Sequence, residues 1–323
     1  MLVYKTILHR RYIRYLQQAG GDVDKLRETL LHKTYYEEYD RYDFAHKSDA
    51  ERRAYITDAY RNRVCRHINA PREQAVIMDK YRTAVLLKDF YRRRFMLVKG
   101  EGDRDGFTAF GQEVGVLVAK PVHDCGGRGV RLFEQKDVAG WGRSFDELMQ
   151  EQRPFIVEER ICQHPFMGRY NLSSVNTVRI NTFQHKGTVR RFTAVLKTGR
   201  RGSLVDNGAQ GGVMALVDSE TGAIVTDAID DLGHTFAVHP DSGAPFRGEQ
   251  IPRWDELKRI TAEMALRLPR LTFVGWDMAL TTDGWVVVEG NKGEFFAEQI
   301  ALGRGLKKEF DQMCGRELRH GGY

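Results

Sequence analysis

The chain has few cysteines and none in a metal-binding or redox pattern. Four in 323 residues, Cys65, Cys125, Cys162 and Cys314, lie far apart, and no CxxC or Cys/His pair has zinc-ligand spacing. That excludes a zinc ribbon and a disulfide scaffold and reads as a reduced, cytoplasmic protein. No apolar run approaches the roughly 20 residues a membrane span needs. The basic N-terminus lacks the unbroken apolar stretch of a secretory signal. Also missing are a GxxxxGK[ST] loop, a GxGxxG turn opening a βαβ unit, GxSxG, HExxH and a kinase-type catalytic loop. No finger, RRM signature or aromatic–basic repeat argues for nucleic acid, and there is neither an internal repeat nor a low-complexity linker.

What is present is an ordinary globular composition, 41% hydrophobic, long enough for one large domain or two to three lobes. The net charge of +6 predicts attraction to anions: nucleotide, acidic sugar and membrane surface all qualify. Residues 1 to about 75 read as helical and polar, rich in Tyr and Arg. Leu2, Val3, Ile7, Leu8, Tyr12, Ile13 and Leu16 fall at helical spacing, with Lys5, Arg10, Arg11 and Arg14 mostly elsewhere. Such a basic amphipathic helix can touch a membrane surface, although packing on the rest of the protein is the commoner use. Pro71 breaks the pattern.

From about residue 76 the texture becomes α+β. Asp79-Lys80 opens a helix, and a strand ending VLVAKPV carries Lys120 into the Gly-rich loop His123–Gly129. There Gly126, Gly127 and Gly129 let backbone N–H groups approach an anion. A strand VRLF, a helix around FDELMQEQ and a strand FIVEER, holding Glu158, Glu159 and Ile161, follow. Beyond residue 175 strands alternate with Gly-rich turns. Arg179 lies inside VNTVRINTF, where a buried cation must find a partner. The stretch LKTGRRGSLVDNGAQGG, with Asn207, Gly211 and Gly212, is long for a plain turn. A helix from Pro252 to about Leu268 then feeds a hairpin.

That hairpin, Gly275 to Asn291, is the most informative segment. A three-residue loop Thr282-Asp283-Gly284 would pair Thr281 with Trp285 and set Asp277 across from Glu289. Asn291, two residues on, shares the face of Glu289. A two-residue loop would slip the register by one and part the carboxylates. Two carboxylates and an amide oxygen, rigidly held among apolar neighbours, suit Mg²⁺ that also holds phosphates.

The order Asp79-Lys80, Lys120 with its Gly loop, EERI, Arg179, DNxxxGG, Asp277 and Glu-x-Asn resembles the ATP-grasp superfamily. SVNTVRINTF, VDNGAQGG and GWDMALTTDGWVVVEGN resemble its sugar-transfer-associated group, related to α-L-glutamate ligases. The resemblance covers roughly residues 76 to 305. It implies an ATP-grasp fold with a helical N-terminal extension: residues 1–75 helical, 76–157 a small subdomain with the phosphate flap, and 158–323 a large subdomain with the metal hairpin. It further implies phosphate contacts from Lys80 and Lys120 under the loop His123–Gly129, and an adenine edge held by Glu158 and the backbones of Glu159 and Ile161. A ribose contact would come from His164. Asp277, Glu289 and Asn291 would bind two Mg²⁺ ions, which Mn²⁺ can replace. Arg179 would stabilise transferred charge, and Asn207, Gly211 and Gly212 would line the phosphate and substrate end. The activity implied is an ADP-forming carboxylate–amine ligase working through an acyl phosphate, its substrates a small carboxylate and an amine or a sugar or glycan precursor. A kinase on the same fold, acting on a hydroxyl, is the alternative. Two features depart from the family's pattern: Lys292-Gly293 stands where many members carry Pro-Gly, and a helical N-terminus replaces a small Rossmann-like domain.

Overall fold

The computed structural model describes residues 23–319 except 33 and 125, so the amphipathic segment from Leu2 to Leu16 lies outside the described residues. The chain divides into two compact units, one of residues 23–68 and 294–319, the other Asn69–Gly293. No helix among the described residues is long and apolar enough to cross a membrane.

The first unit is helical. Its helices Val23–His32, Tyr36–Arg41, Asp49–Arg53 and Asp58–Ile68 are joined by Phe296–Ala301 and Lys307–Arg319. The tyrosines of the N-terminal stretch make its core, where Tyr39, Tyr42, Phe44 and Tyr55 pack together with Phe296 and Ile300 against them. The buried Gln299 amide ties both chain segments, accepting from the Ile56 N–H at 2.7 Å and donating to the Tyr42 hydroxyl at 3.0 Å. Glu38 is also buried; it accepts from the backbone N–H groups of Tyr35 and Asp58. Burial pushes its carboxyl up to about 7 against those two hydrogen bonds.

The second unit is α+β and antiparallel, the class expected from sequence. A four-stranded sheet has the order β1-β4-β2-β3, built from Phe95–Val98 (β1), Val116–Pro121 (β2), Arg131–Glu134 (β3) and Phe155–Glu159 (β4). Alternation sends Leu117, Ala119, Phe155 and Val157 to a core with Phe107, Trp141, Phe145 and Leu148 of helices Arg104–Val114 and Val138–Met149. Lys120, Ile156 and Glu158 therefore face the other way. A seven-stranded sheet has the order β11-β10-β5-β6-β7-β8-β9. Its strands are Thr177–His185 (β5), Thr188–Thr198 (β6), Val213–Val217 (β7), Ala228–Ile229 (β8), Thr235–Phe236 (β9), Phe273–Thr281 (β10) and Gly284–Asn291 (β11). On its apolar face Val178, Ile180, Leu196, Val274, Trp276, Met278 and Val287 pack on Leu257, Ile260 and Met264 of helix Trp254–Leu266. The opposite face carries the polar residues.

Candidate active site

The hairpin reaches the expected pairing by a different route. Thr281 pairs with Gly284, so the loop is two residues long, not three. Leu280, Ala279 and Met278 then pair with Trp285, Val286 and Val287. That register alone would set Asp277 opposite Val288. A β-bulge between Asp277 and Met278 inserts Val288 as an extra residue, and Asp277 comes to face Glu289. The slip a two-residue loop causes is thus cancelled within the strand. Asn291 faces Gly275 on the same surface, and a Cβ on Gly275 would lie 2.6 Å from the Asn291 Oδ1, so glycine is needed there for space.

Strand β5 brings Arg179 directly opposite Asp277. The guanidinium donates twice, Nε to Oδ1 and Nη2 to Oδ2, each at 2.7 Å. Lys197, at the end of β6, donates to Oδ2 of Asp277 at 3.4 Å and lies 3.6 Å from Asp206. Asp206 in turn accepts from the Thr177 backbone at 2.9 Å and from its hydroxyl. Burial works to raise the Asp277 carboxyl, but Arg179 and Lys197 outweigh it and hold the group at about 2. Glu289 behaves oppositely: burial and the charge of Asp277 push it up, against Lys80, Lys197 and Arg179. The Lys80 Nζ sits 3.9 Å from Glu289 and also donates to the Asp124 carbonyl. Towards the hairpin turn this polar surface gives way to an apolar patch of Ile161, Ala279 and Val286, with Val175 and Val288 packed beside it.

Glu158 and Lys120 are diagonal neighbours on the outer face of the smaller sheet, since Glu158 pairs with Val118. Lys120 Nζ lies 2.5 Å from Glu158 Oε1, while Oε2 accepts from the Tyr91 hydroxyl and, at 3.2 Å, from Arg93 Nη2. Burial alone would raise Glu158; the charges of Arg93 and Lys120 and the bonds from Lys120 and Tyr91 hold it at about 2 instead. Arg93 is stacked 3.3 Å from the Tyr91 ring centre and donates to the Val287 carbonyl at 2.8 Å. Glu159 engages Arg94, its N–H donating to the Arg94 carbonyl at 3.0 Å. His164 caps the turn Pro165–Gly168, its Nδ1 accepting from the Phe166 N–H at 3.1 Å.

The two Gly-rich loops meet. Gly126, Gly127 and Gly129 all have φ near +70°, open to glycine at little cost. A Cβ on Gly127 would strike Val205 at 2.8 Å, and Gln210 donates to the Gly126 carbonyl at 3.2 Å. Asn207 lies at the same meeting point: its Nδ2 is 3.8 Å from a Cβ built on Gly126, and its Oδ1 accepts from the Ala209 N–H at 2.8 Å. Gly211, with φ of +85°, closes that turn, and a Cβ on Gly212 would lie 2.8–2.9 Å from three carbonyl oxygens, so glycine is needed there for space. His123 lies in the first loop and carries no hydrogen bond among those described.

Lys197, Asp206, Tyr91 and Arg93 escape the sequence reading. A lysine closing the buried run Ala194-Val195-Leu196 is a usable signal for the first. Arg93 stands in a run of three arginines, which hides it.

The donors fit a hard divalent cation. Asp277 and Glu289 are a like-charged pair directly across two strands, and Asn291 adds an amide on the same face. The Asn291 Oδ1, the amide atom able to ligate a hard cation, accepts one hydrogen bond, from the Gly293 N–H at 2.7 Å, and keeps its second lone pair. Repulsion between the two carboxylates is relieved by a cation between them.

Similar folds occur in solved ligases of low sequence identity. D-alanyl-alanine synthetase A from Vibrio cholerae O1 biovar eltor str. N16961 is 11% identical with a TM-score of 0.51, covering 78% of this chain and 68% of that one. The D-alanine-D-alanine ligase from Coxiella burnetii is 9% identical with a TM-score of 0.50, over 78% and 60%. ATP-grasp ligase PsnB, complexed with a minimal precursor, is 16% identical with a TM-score of 0.47, over 78% and 63%, so this chain spans less than two thirds of PsnB. No protein of curated function matches the sequence. The family model described as sugar-transfer associated ATP-grasp matches residues 59–315, and the chain belongs to that family.

Proposed function

We propose that the chain is an ATP- and Mg²⁺-dependent carboxylate–amine ligase that forms ADP. The observation that carries this reading is the single polar face on which Asp277, Glu289 and Asn291 stand beside Arg179, Lys197 and Lys80. In this reading residues 76–157 cover the phosphates and residues from 158 onward carry the metal face. Lys80, Lys120 and the loop His123–Gly129 bind the phosphates of ATP, with Asn207, Gly211 and Gly212 closing from the other side. Ile161, Ala279 and Val286 form the floor for the adenine. Glu158 holds Lys120 in place and, with the backbones of Glu159 and Ile161, borders the base; His164 lies towards the ribose.

Asp277, Glu289 and Asn291 would hold Mg²⁺, which supplies Lewis-acid polarisation and charge neutralisation at the phosphates. Arg179 and Lys197 stabilise the charge that develops as a substrate carboxylate attacks the γ-phosphate. An amine then displaces phosphate from the acyl phosphate to give the amide. No protein nucleophile is needed, because positioning and charge stabilisation carry the acceleration. Membership of a sugar-transfer associated family favours a sugar or glycan precursor as one of the two substrates, and the free cysteines suit a cytoplasmic setting.

The test is an assay of ADP and phosphate release over a panel of carboxylates and amines, with mass spectrometry of the products. Released phosphate with a new amide is the expected result. A phosphorylated product without released phosphate would overturn the ligase reading in favour of a kinase.

A further inference from the structure

We infer that Arg93 is a positioning residue for the metal face: its guanidinium ties the Glu158–Lys120 pair to β11 beside the bulge, and so sets the spacing between Lys120 and Glu289. The inference rests on the reading of Asp277, Glu289 and Asn291 as the metal end of an ATP site.

The bulge decides where Glu289 points. Without Val288 as the extra residue, Asp277 would stand opposite Val288 and Glu289 opposite Trp276. Trp276 packs in the apolar core, so that register would turn Glu289 from the polar face to the apolar one. β11 is also the edge strand of its sheet, and its outward backbone groups must be met from outside that sheet. Arg93 meets one of them next to the bulge, where Nη1 donates to the Val287 carbonyl at 2.8 Å.

The guanidinium is itself held on several sides. Nη1 also donates to the Tyr91 carbonyl at 3.1 Å, Nη2 donates to Glu158 at 3.2 Å, and the group lies 3.3 Å from the Tyr91 ring centre. The Arg93 side chain is 4% exposed. Glu158, on β4, is in turn paired with Lys120 on β2. An ammonium carries several N–H donors, so Lys120 can keep Glu158 and still donate to phosphate. Arg93 thus links the two sheets of the second unit: one hydrogen bond takes it to the metal strand, and one carboxylate takes it to the phosphate lysine. An ion shared between carboxylates and phosphates feels that spacing, because a misplacement of about 1 Å can cost about a hundredfold in rate. Lysine at position 93 would keep a cation beside Glu158 but lose the fork that reaches Glu158 and Val287 together.

The test measures how far Mg²⁺ strengthens binding of a non-hydrolysable ATP analogue to the wild type, Arg93→Lys, Arg93→Met and Glu289→Gln. Amide hydrogen exchange along β11 is followed in the same proteins. Arg93→Lys should fold by circular dichroism and keep much of the wild-type stability. Its apparent Mg²⁺ affinity should nevertheless fall roughly tenfold, and exchange beside Val288 should quicken. Arg93→Met should show the same two changes, and Arg93→Lys stands in if Arg93→Met fails to fold. A purely structural Arg93 would lower the unfolding midpoint alone. Wild-type Mg²⁺ enhancement and wild-type β11 exchange in the folded Arg93 variants would therefore overturn the inference. The two readings fail separately. If Glu289→Gln keeps the Mg²⁺ enhancement, the metal face itself is wrongly assigned; if Glu289→Gln loses it and the Arg93 variants do not, only the role of Arg93 falls.

Discussion

Replacing Arg93 by methionine removes a cation from one of the most buried charge clusters of the second unit. Glu158 is 1% exposed and is met there by Arg93, Lys120 and Tyr91. Holding its carboxyl at about 2, against an ordinary value of 4.5, corresponds to about 3 kcal/mol of stability at neutral pH. The folded value lies below the unfolded one, so this stability is present above pH 4.5 and is lost as pH falls towards 2. Methionine keeps much of the side-chain volume over the Tyr91 ring but leaves Lys120 as the one remaining full positive charge bonded to a buried carboxylate. Breaking a buried pair from one side costs about 3–5 kcal/mol; with Lys120 still in place we expect about 2–3 kcal/mol. In urea this is a midpoint shift of about 1 M for a slope near 2–3 kcal/mol/M. All four tryptophans, Trp141, Trp254, Trp276 and Trp285, lie in the second unit, so their fluorescence follows its unfolding without signal from the first. The double variant Arg93→Met/Glu158→Gln should lose less than the sum of the two single changes, because the second removes the charge the first leaves stranded. A loss below about 0.5 kcal/mol for Arg93→Met, the usual range for an unremarkable surface change, would refute the cluster's energetics. So would simple additivity in the double variant.

Two other consequences concern different parts of the molecule. Glu38 is held at about 7, above its ordinary 4.5, so the first unit should gain stability as pH falls from about 8 towards 4.5 and lose it on the return. Hydrogen exchange of the Asp58 amide, which Glu38 accepts, should slow over that range, and Glu38→Gln should flatten the dependence; exchange that quickens towards pH 5, after correction for intrinsic rates, would contradict it. Gly212→Ala would place a Cβ within 2.8–2.9 Å of the carbonyl oxygens of Asp206, Thr198 and Asn207. The loop must shift to admit it, so we expect a loss of about 1–3 kcal/mol in the fluorescence-detected unfolding together with weaker ATP binding. Wild-type values in both would show that the close packing of this loop is unimportant.

The acid face was legible because strand periodicity needs no partner information: residues two apart share a surface wherever the strand lies. Asp277, Glu289 and Asn291 follow from that rule and from the burial of their neighbours. The turn was not legible in detail. Thr282-Asp283-Gly284 fits a three-residue loop, but the chain uses two residues and places the extra one at Val288, inside a Val-Val-Val run without a glycine to mark a bulge. The same pairing of carboxylates results from either arrangement, so Asp277 was set opposite Glu289 through an incorrect turn. The partners of the charged residues were less accessible still. Lys197 meets Asp277 across 80 positions of sequence, and Arg93 meets Glu158 across 65. Only the strand order β11-β10-β5-β6 and the pairing of β1 with β4 bring them together. Glu158 illustrates the consequence: its sequence setting suggested a free acceptor for a base, and in the fold its oxygens already hold Lys120, Tyr91 and Arg93.

As the proposed metal end of an ATP site, the face bearing Asp277, Glu289 and Asn291 should make nucleotide binding depend on Mg²⁺. Its most direct test is equilibrium binding of a non-hydrolysable ATP analogue to the wild type and to Glu289→Gln, each with and without Mg²⁺. Mg²⁺ should strengthen binding to the wild type, whereas Glu289→Gln should fold normally yet show no Mg²⁺ enhancement. Equal enhancement by Mg²⁺ in both proteins would contradict it.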